Sequence, residues 1–195
     1  MTKSVEFLFD FGSPTSYLAY KQLPKITGRH GARIVWTPIL LGAVFKATGN
    51  ASPAMVPAKA KYMNNDMARF AKRHGVVLNM NSHFPVNTLP LMRGAVAYQA
   101  TPFFDVYVNA MFDAMWAHPL NLNDQNEISH VLKDIGIDPG DFLARIERAD
   151  VKEKLKANTE SAVARGVFGA PSFFINGELF FGQDRLEFVE QALLP

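Results

Sequence analysis

Residues 9–19 read Phe9-Asp10-Phe11-Gly12-Ser13-Pro14-Thr15-Ser16-Tyr17-Leu18-Ala19. An apolar run closes there and a helix opens, with serine at the cap and proline at the first helical position. Such a junction aims free backbone N–H groups and the positive end of the helix dipole at one point, which suits an anion, notably a thiolate. Redox proteins carry cysteine at such a place, but this chain contains no cysteine. Disulfides, thiolate metal sites and redox chemistry on its own thiols are therefore excluded. A thiolate working here must be brought in. Taken alone, Ser13-Pro14 with Ser16 three residues on reads as a routine helix start.

Three further segments carry chemical potential, and each has a plain structural alternative. In Val167-Phe168-Gly169-Ala170-Pro171-Ser172 a small residue precedes proline at the head of an apolar strand, where proline is tolerated. A cis bond at Pro171 would give the segment a different meaning, leaving the backbone of Ala170 free to pair with an extended peptide ligand. Gly182-Gln183-Asp184-Arg185 stands directly before the last helix, where Asp184 and Glu187 have the spacing of a capping pair. Gly49-Asn50-Ala51-Ser52-Pro53 through Pro57-Ala58-Lys59 is a proline-punctuated loop leading into a helix, and a lysine so placed can simply be solvated.

The elements that must position these residues follow from periodicity. Val5 to Asp10 and Arg33 to Pro38 are short apolar strands, with a helix over 14–30 between them that ends near Gly28 and Gly31. This is a βαβ unit. Amphipathic stretches dominate from about 44 to 165, at 54–73, 89–116, 124–135, 139–148 and 151–165. Ser172 to Asn176, the Asn176-Gly177 turn and Leu179 to Phe181 then form a hairpin, and a helix over about 185–194 ends the chain. The order predicts an α/β fold: a four-stranded mixed sheet from residues 1–43 and 166–195, with an inserted helical domain over 44–165. That is the thioredoxin-like arrangement of DsbA-type proteins.

Composition narrows the function classes. The 195 residues are 48% hydrophobic, enough for a real core, and 20 Lys and Arg against 18 Asp and Glu give a net charge of +2 without a basic run. Nucleic acid is not an expected partner. No apolar stretch approaches the roughly 20 residues of a membrane span, and no leader is apparent, so a cytoplasmic location is expected. The five histidines form no H-x-H or H-E-x-x-H pair, so no metal site is expected. There is no G-x-G-x-x-G after the first strand, no P-loop and no G-x-S-x-G elbow. Nucleotide cofactors and serine-hydrolase chemistry lack support.

Together the Asp10-to-Ala19 start, the Asn50 to Lys59 loop, Phe168-Gly169-Ala170-Pro171 and Gly182-Gln183-Asp184-Arg185 resemble the kappa-class glutathione transferases. Within that group the chain is most similar to the bacterial 2-hydroxychromene-2-carboxylate isomerases, and the similarity runs over essentially its whole length. The resemblance implies that glutathione binds with its sulfur beside Ser13, held as thiolate by the hydroxyl and the helix N-terminus. It implies that Ala170, before a cis Pro171, pairs its backbone with the cysteinyl part. Asp184 would meet the γ-glutamyl ammonium, N–H groups near Gln183 and Asp184 its carboxylate, and Lys59 with Asn50 the glycine carboxylate.

The activity implied is interconversion of 2-hydroxychromene-2-carboxylate and trans-o-hydroxybenzylidenepyruvate in aromatic catabolism. Glutathione would act there as a catalyst, adding to the unsaturated keto acid, allowing rotation about the former double bond, and leaving again. The loop around Phe84 and Asn87 is the implied place for the aromatic substrate, although on residue type alone Asn87 reads first as a loop-backbone partner. The helically spaced Phe103, Phe104, Tyr107, Phe112 and Trp116 are expected in the core or at a dimer surface. A homodimer is implied. Gly12, Ala170 and Gln183 depart from the family's usual residues. A kappa-type transferase or peroxidase, and a cysteine-less thioredoxin-like binding module, stand as the alternatives.

Overall fold

The computed structural model describes residues 3–194. Strand β1 (Ser4–Phe9), helix α1 (Pro14–Arg29) and strand β2 (Arg33–Pro38) make the expected βαβ unit. β1 and β2 run parallel, in register from Ser4 opposite Arg33 to Phe9 opposite Pro38. The chain returns to the sheet with β3 (Ser172–Ile175) and β4 (Glu178–Phe181). β3 lies antiparallel to both β1 and β4, giving a mixed sheet in the order β2-β1-β3-β4. Asn176 and Gly177 take φ of 53° and 87°, as a two-residue hairpin turn that follows strand twist requires.

Nine α-helices are found among the described residues. Between β2 and β3 come α2 (Leu41–Thr48), α3 (Pro57–His74), α4 (Leu89–Tyr98), α5 (Phe104–Phe112), α6 (Gln125–Asp134), α7 (Pro139–Glu147) and α8 (Ala149–Ala164). α9 (Leu186–Gln191) closes the chain after a 3-10 turn at Gln183–Arg185. The single helix expected over 89–116 is two. The break falls before Pro102, whose ring disfavours helix at the residue preceding it. α5 then runs on as a π turn over Asp113–Ala117. Sequence periodicity also passed over the start of α2, which straddles the division expected between 43 and 44.

Alternation along β1 divides the core between the two faces of the sheet. Val5, Phe7 and Phe9 point into the larger apolar cluster, where Phe7 stacks on Phe173 with centroids 5.4 Å apart. That cluster continues without a gap into the helices through Tyr107, Phe112, Trp116 and Phe142. Phe104, Tyr107, Phe112 and Trp116 are thus core residues, while Phe103 is 42% exposed. Leu8 points the other way, to Ile39, Val44, Ala162 and Phe174 under α2 and α8. Among the described residues no helix is long and apolar enough to cross a membrane.

Candidate active site

β1 ends against the first turn of α1, and Ser13 is the cap between them. Its Oγ accepts from Ser16 N at 3.0 Å, and Tyr17 N returns to Ser13 O at 3.1 Å. The same hydroxyl donates to the carbonyl of Ala170 at 2.9 Å, 157 positions along the chain. Thr15 Oγ1 lies 3.0 Å from Ser13 Oγ and 3.3 Å from that carbonyl, so two hydroxyls converge on one acceptor. The carbonyl of Ala170 is therefore occupied rather than free. The Thr15 and Ala170 N–H groups have no acceptor among the described residues. Ser13 is only 4% exposed.

Asp10 holds the turn from below. Its Oδ1 accepts from Gly12 N and its Oδ2 from Leu41 N, both at 2.8 Å, so one carboxyl ties the end of β1 to the start of α2. Burial pushes its pKa above the ordinary aspartate value, against the opposing pull of the bonds from Gly12 and Leu41. Helices from the middle of the chain supply the remaining restraints. Phe11 N donates to Met92 Sδ on α4 at 3.3 Å, and Phe11 O accepts from Trp116 Nε1 at 2.7 Å. None of Thr15, Asp10, Met92 and Trp116 is singled out from sequence as a residue of the site. Asp10 did leave a signal, an acidic residue ending a buried strand. Met92 and Trp116 left none, because their bonds span 81 and 105 positions.

The second segment closes over the first. The Ala170-Pro171 bond is cis, as is Phe84-Pro85. Gly182 N donates to Pro171 O at 3.0 Å, which brings the Gln183–Arg185 turn beside the Ala170-Pro171 pair, and α1 packs against that turn. Gln183 is buried and its Oε1 meets no donor among the described residues; Ser16 Oγ, in the first turn of α1, is likewise buried and has no partner among them. Asp184 does not cap α9, whose first residues lack a side-chain cap. Its Oδ2 instead takes Arg185 Nη1 at 2.6 Å. Gly182 has φ of 102°, and a Cβ there would stand 2.4 Å from Asp184 Oδ1.

The other predicted residues make no hydrogen bond to Ser13 among the described residues. Asn50 Nδ2 donates to Phe168 O at 2.8 Å, which fastens the loop after α2 to the segment two residues before Ala170. Lys59 is exposed in the first turn of α3 and makes no ion pair with any described residue. Phe84 leans on Trp116 with centroids 6.0 Å apart, and Trp116 in turn bonds Phe11, so this ring reaches the Ser13 turn only through Trp116. Asn87 has another occupation. Its Oδ1 accepts from Leu89 N at 3.2 Å at the start of α4, and its N–H donates to Asn123 Oδ1 at 2.9 Å. It lines a hollow of about 270 Å³ between α4, α6 and α7 with Pro90, Leu122, Ile128 and Phe142. Among the described residues no cluster of His, Asp and Glu could hold a metal ion.

Two halves thus meet: a helix N-terminus with paired hydroxyls, and the Ala170-Pro171 segment ahead of β3, whose Ala170 N–H has no acceptor among the described residues. Residues 4–194 match the DSBA-like thioredoxin domain. The chain belongs to this family. Its sequence is 36% identical to the 2-hydroxychromene-2-carboxylate isomerase of Sphingobium xenophagum, over the full length of both chains. It is 31% identical to the enzyme of the same name from Pseudomonas putida, covering 97% of this chain and 93% of that one. A solved 2-hydroxychromene-2-carboxylate isomerase superposes with a TM-score of 0.88 at 30% identity, covering 97% of this chain and 94% of that chain. Glutathione S-transferase kappa 1 of Caenorhabditis elegans is 28% identical, covering 97% of this chain and 90% of that protein.

Proposed function

We propose that this chain is a glutathione-dependent isomerase that interconverts 2-hydroxychromene-2-carboxylate and trans-o-hydroxybenzylidenepyruvate. The observation that carries the proposal is full-length similarity to enzymes of that name, joined to a cysteine-free helix N-terminus built for an anion. The residues present fit a zwitterionic peptide. Among the described residues, Ala170 and Thr15 offer N–H groups without acceptors, Gln183 Oε1 is a buried acceptor without a donor, and Lys59 and Asp184 supply a cation and an anion for charged ends.

In this assignment Ser13 donates to the sulfur. Thr15 stands ready to hold Ala170 O while Ser13 turns away from it, so no buried carbonyl is left bare. The Ala170 and Pro171 segment aligns the cysteinyl part, Gln183 and Asp184 take the γ-glutamyl end, and Asn50 with Lys59 takes the glycine carboxylate. When bound, glutathione supplies a nucleophilic thiolate able to add reversibly to a conjugated double bond. The protein lowers the thiol's pKa by helix dipole and hydrogen bonding, and orients it. Phe84 provides an aromatic wall. Asn87 belongs to the substrate side only if it exchanges its bond to Leu89 for one to substrate.

The reading also implies action in the cytoplasm, where the glutathione pool resides, and a homodimer, which sedimentation at micromolar concentration tests. The deciding experiment follows chromene absorbance and total glutathione together. Conversion with glutathione conserved is the expected result. One glutathione lost per turnover would make the chain a kappa-type transferase, the alternative that relatives such as the nematode protein support. No absorbance change with glutathione bound would sink the isomerase assignment, and no glutathione binding at millimolar concentration would leave a cysteine-less binding module.

A further inference from the structure

The peptide unit joining Phe11 to Gly12, immediately before Ser13, is held at both ends. Its carbonyl accepts from Trp116 Nε1 at 2.7 Å, and its N–H donates to Asp10 Oδ1 at 2.8 Å. One face is closed as well, since a Cβ at Gly12 would come within 3.1 Å of Thr88 Cγ2. Rotation of this plane must break a buried bond or strike Thr88, and it is this plane that sets where Ser13 points. Trp116 is itself fixed. It is fully buried within the π turn Asp113–Ala117, its carbonyl takes Asn79 N at 2.7 Å, and Phe84 packs on its ring. A π turn lodges an extra residue in the helical ladder and so re-aims the side chains that follow. Here it swings an indole N–H from the helical region onto the active-site turn.

We propose that Trp116 is a positioning residue for Ser13. Its indole N–H fixes the Phe11-Gly12 peptide, and with it the direction in which the Ser13 hydroxyl and the first N–H groups of α1 meet an anion. The indole is uncharged and its N–H is spent on Phe11 O, so the effect is geometric and adds no charge beside Ser13. The consequence for a bound thiol rests on the glutathione assignment above; the consequence for the turn does not.

Trp116→Phe removes the donor and keeps a ring against Phe84. Amide exchange at Gly12 and Ser13, measured without ligand at matched global stability, is expected to speed up by about tenfold or more. With glutathione, thiolate absorbance across a pH titration is expected to show an about tenfold smaller thiolate fraction near neutral pH, with affinity changed by less than about threefold. Unchanged exchange at Gly12 and Ser13 overturns the inference, whatever glutathione does. Faster exchange in the variant, beside a wild type whose bound thiol is no more acidic than free glutathione, upholds the positioning role and removes the glutathione assignment instead. Should Trp116→Phe not fold, benzothienylalanine at position 116 replaces the N–H by sulfur in the same bicyclic shape, and the same readouts decide.

Discussion

At one end of the candidate site, the Asp10 to Ser16 turn is buried and bonded across the whole fold; at the other, the Asn50 to Lys59 segment lies open. The turn is tied to positions 31, 81, 105 and 157 residues away, through Leu41, Met92, Trp116 and Ala170. The open segment has one comparable tie, from Asn50 to Phe168, and ends in an exposed lysine. The difference matches two kinds of work. Donors aimed at developing or bound charge are strongest where water is excluded and nothing must reorganise. A cation that collects a ligand carboxylate works in water, where it is screened and contributes little.

Ser13→Ala tests the buried end most severely. Turnover should fall on the order of 10²-fold, as when one preorganised donor to an anion is removed. Glutathione affinity, measured by calorimetry, should change only a few-fold, and the lost cap should cost about 1 kcal/mol of stability. If affinity fell as far as turnover, Ser13 would belong to binding, and the division between the two ends would collapse.

Asp10→Asn strikes the same end through stability. An amide can satisfy only one of the two N–H groups at Gly12 and Leu41, and the other faces an NH₂, so a loss of about 2 kcal/mol is expected. The pH dependence has a definite sign. Burial raises the Asp10 pKa in the folded state, so its proton-linked stabilisation is fully present below the ordinary aspartate value and is lost as pH rises through the raised one. The deficit of the variant should therefore be largest in acid and shrink toward neutrality, which thermal melts across that range check. Gly182→Ala comes next. With φ of 102° and Asp184 Oδ1 2.4 Å from the added Cβ, the turn must shift, at about 1–2 kcal/mol. Glutathione affinity should fall with it, because Asp184 moves; a destabilised variant with unchanged affinity would remove Asp184 from the site.

How far the sequence exposes each end follows from the range of its interactions. The Ser13 cap, the βαβ opening and the Asn176-Gly177 hairpin are written in local residue types, and the structure forms each as the residues require. The split of the helix expected over 89–116 had a local sign in Pro102 that hydrophobic periodicity overrode. The bonds that hold the Ser13 turn had none. A tryptophan at helical spacing looks like core, and Trp116 is core; that its N–H reaches Phe11 depends on a π turn no apolar pattern announces. Asn87 shows the reverse case, a residue whose local bond is plain and whose substrate role stays a proposal. A polar residue in an aromatic loop resembled a substrate contact, while its side chain caps the backbone at Leu89.

Lys59→Ala should have the smallest effect and sharpen the contrast most. Exposed ion pairs contribute about 0.2–1 kcal/mol, so glutathione affinity should weaken by no more than about fivefold. The wild-type advantage should shrink as salt shortens the Debye length from about 10 Å at 0.1 M to about 3 Å at 1 M. Melting temperature should not move, since Lys59 makes no ion pair with any described residue. Calorimetric titration of both proteins at the two salt concentrations distinguishes the cases. A loss far above fivefold that persists at 1 M would mean that Lys59 is desolvated when ligand binds. The open segment would then close over the peptide, and the site would have two buried ends rather than one.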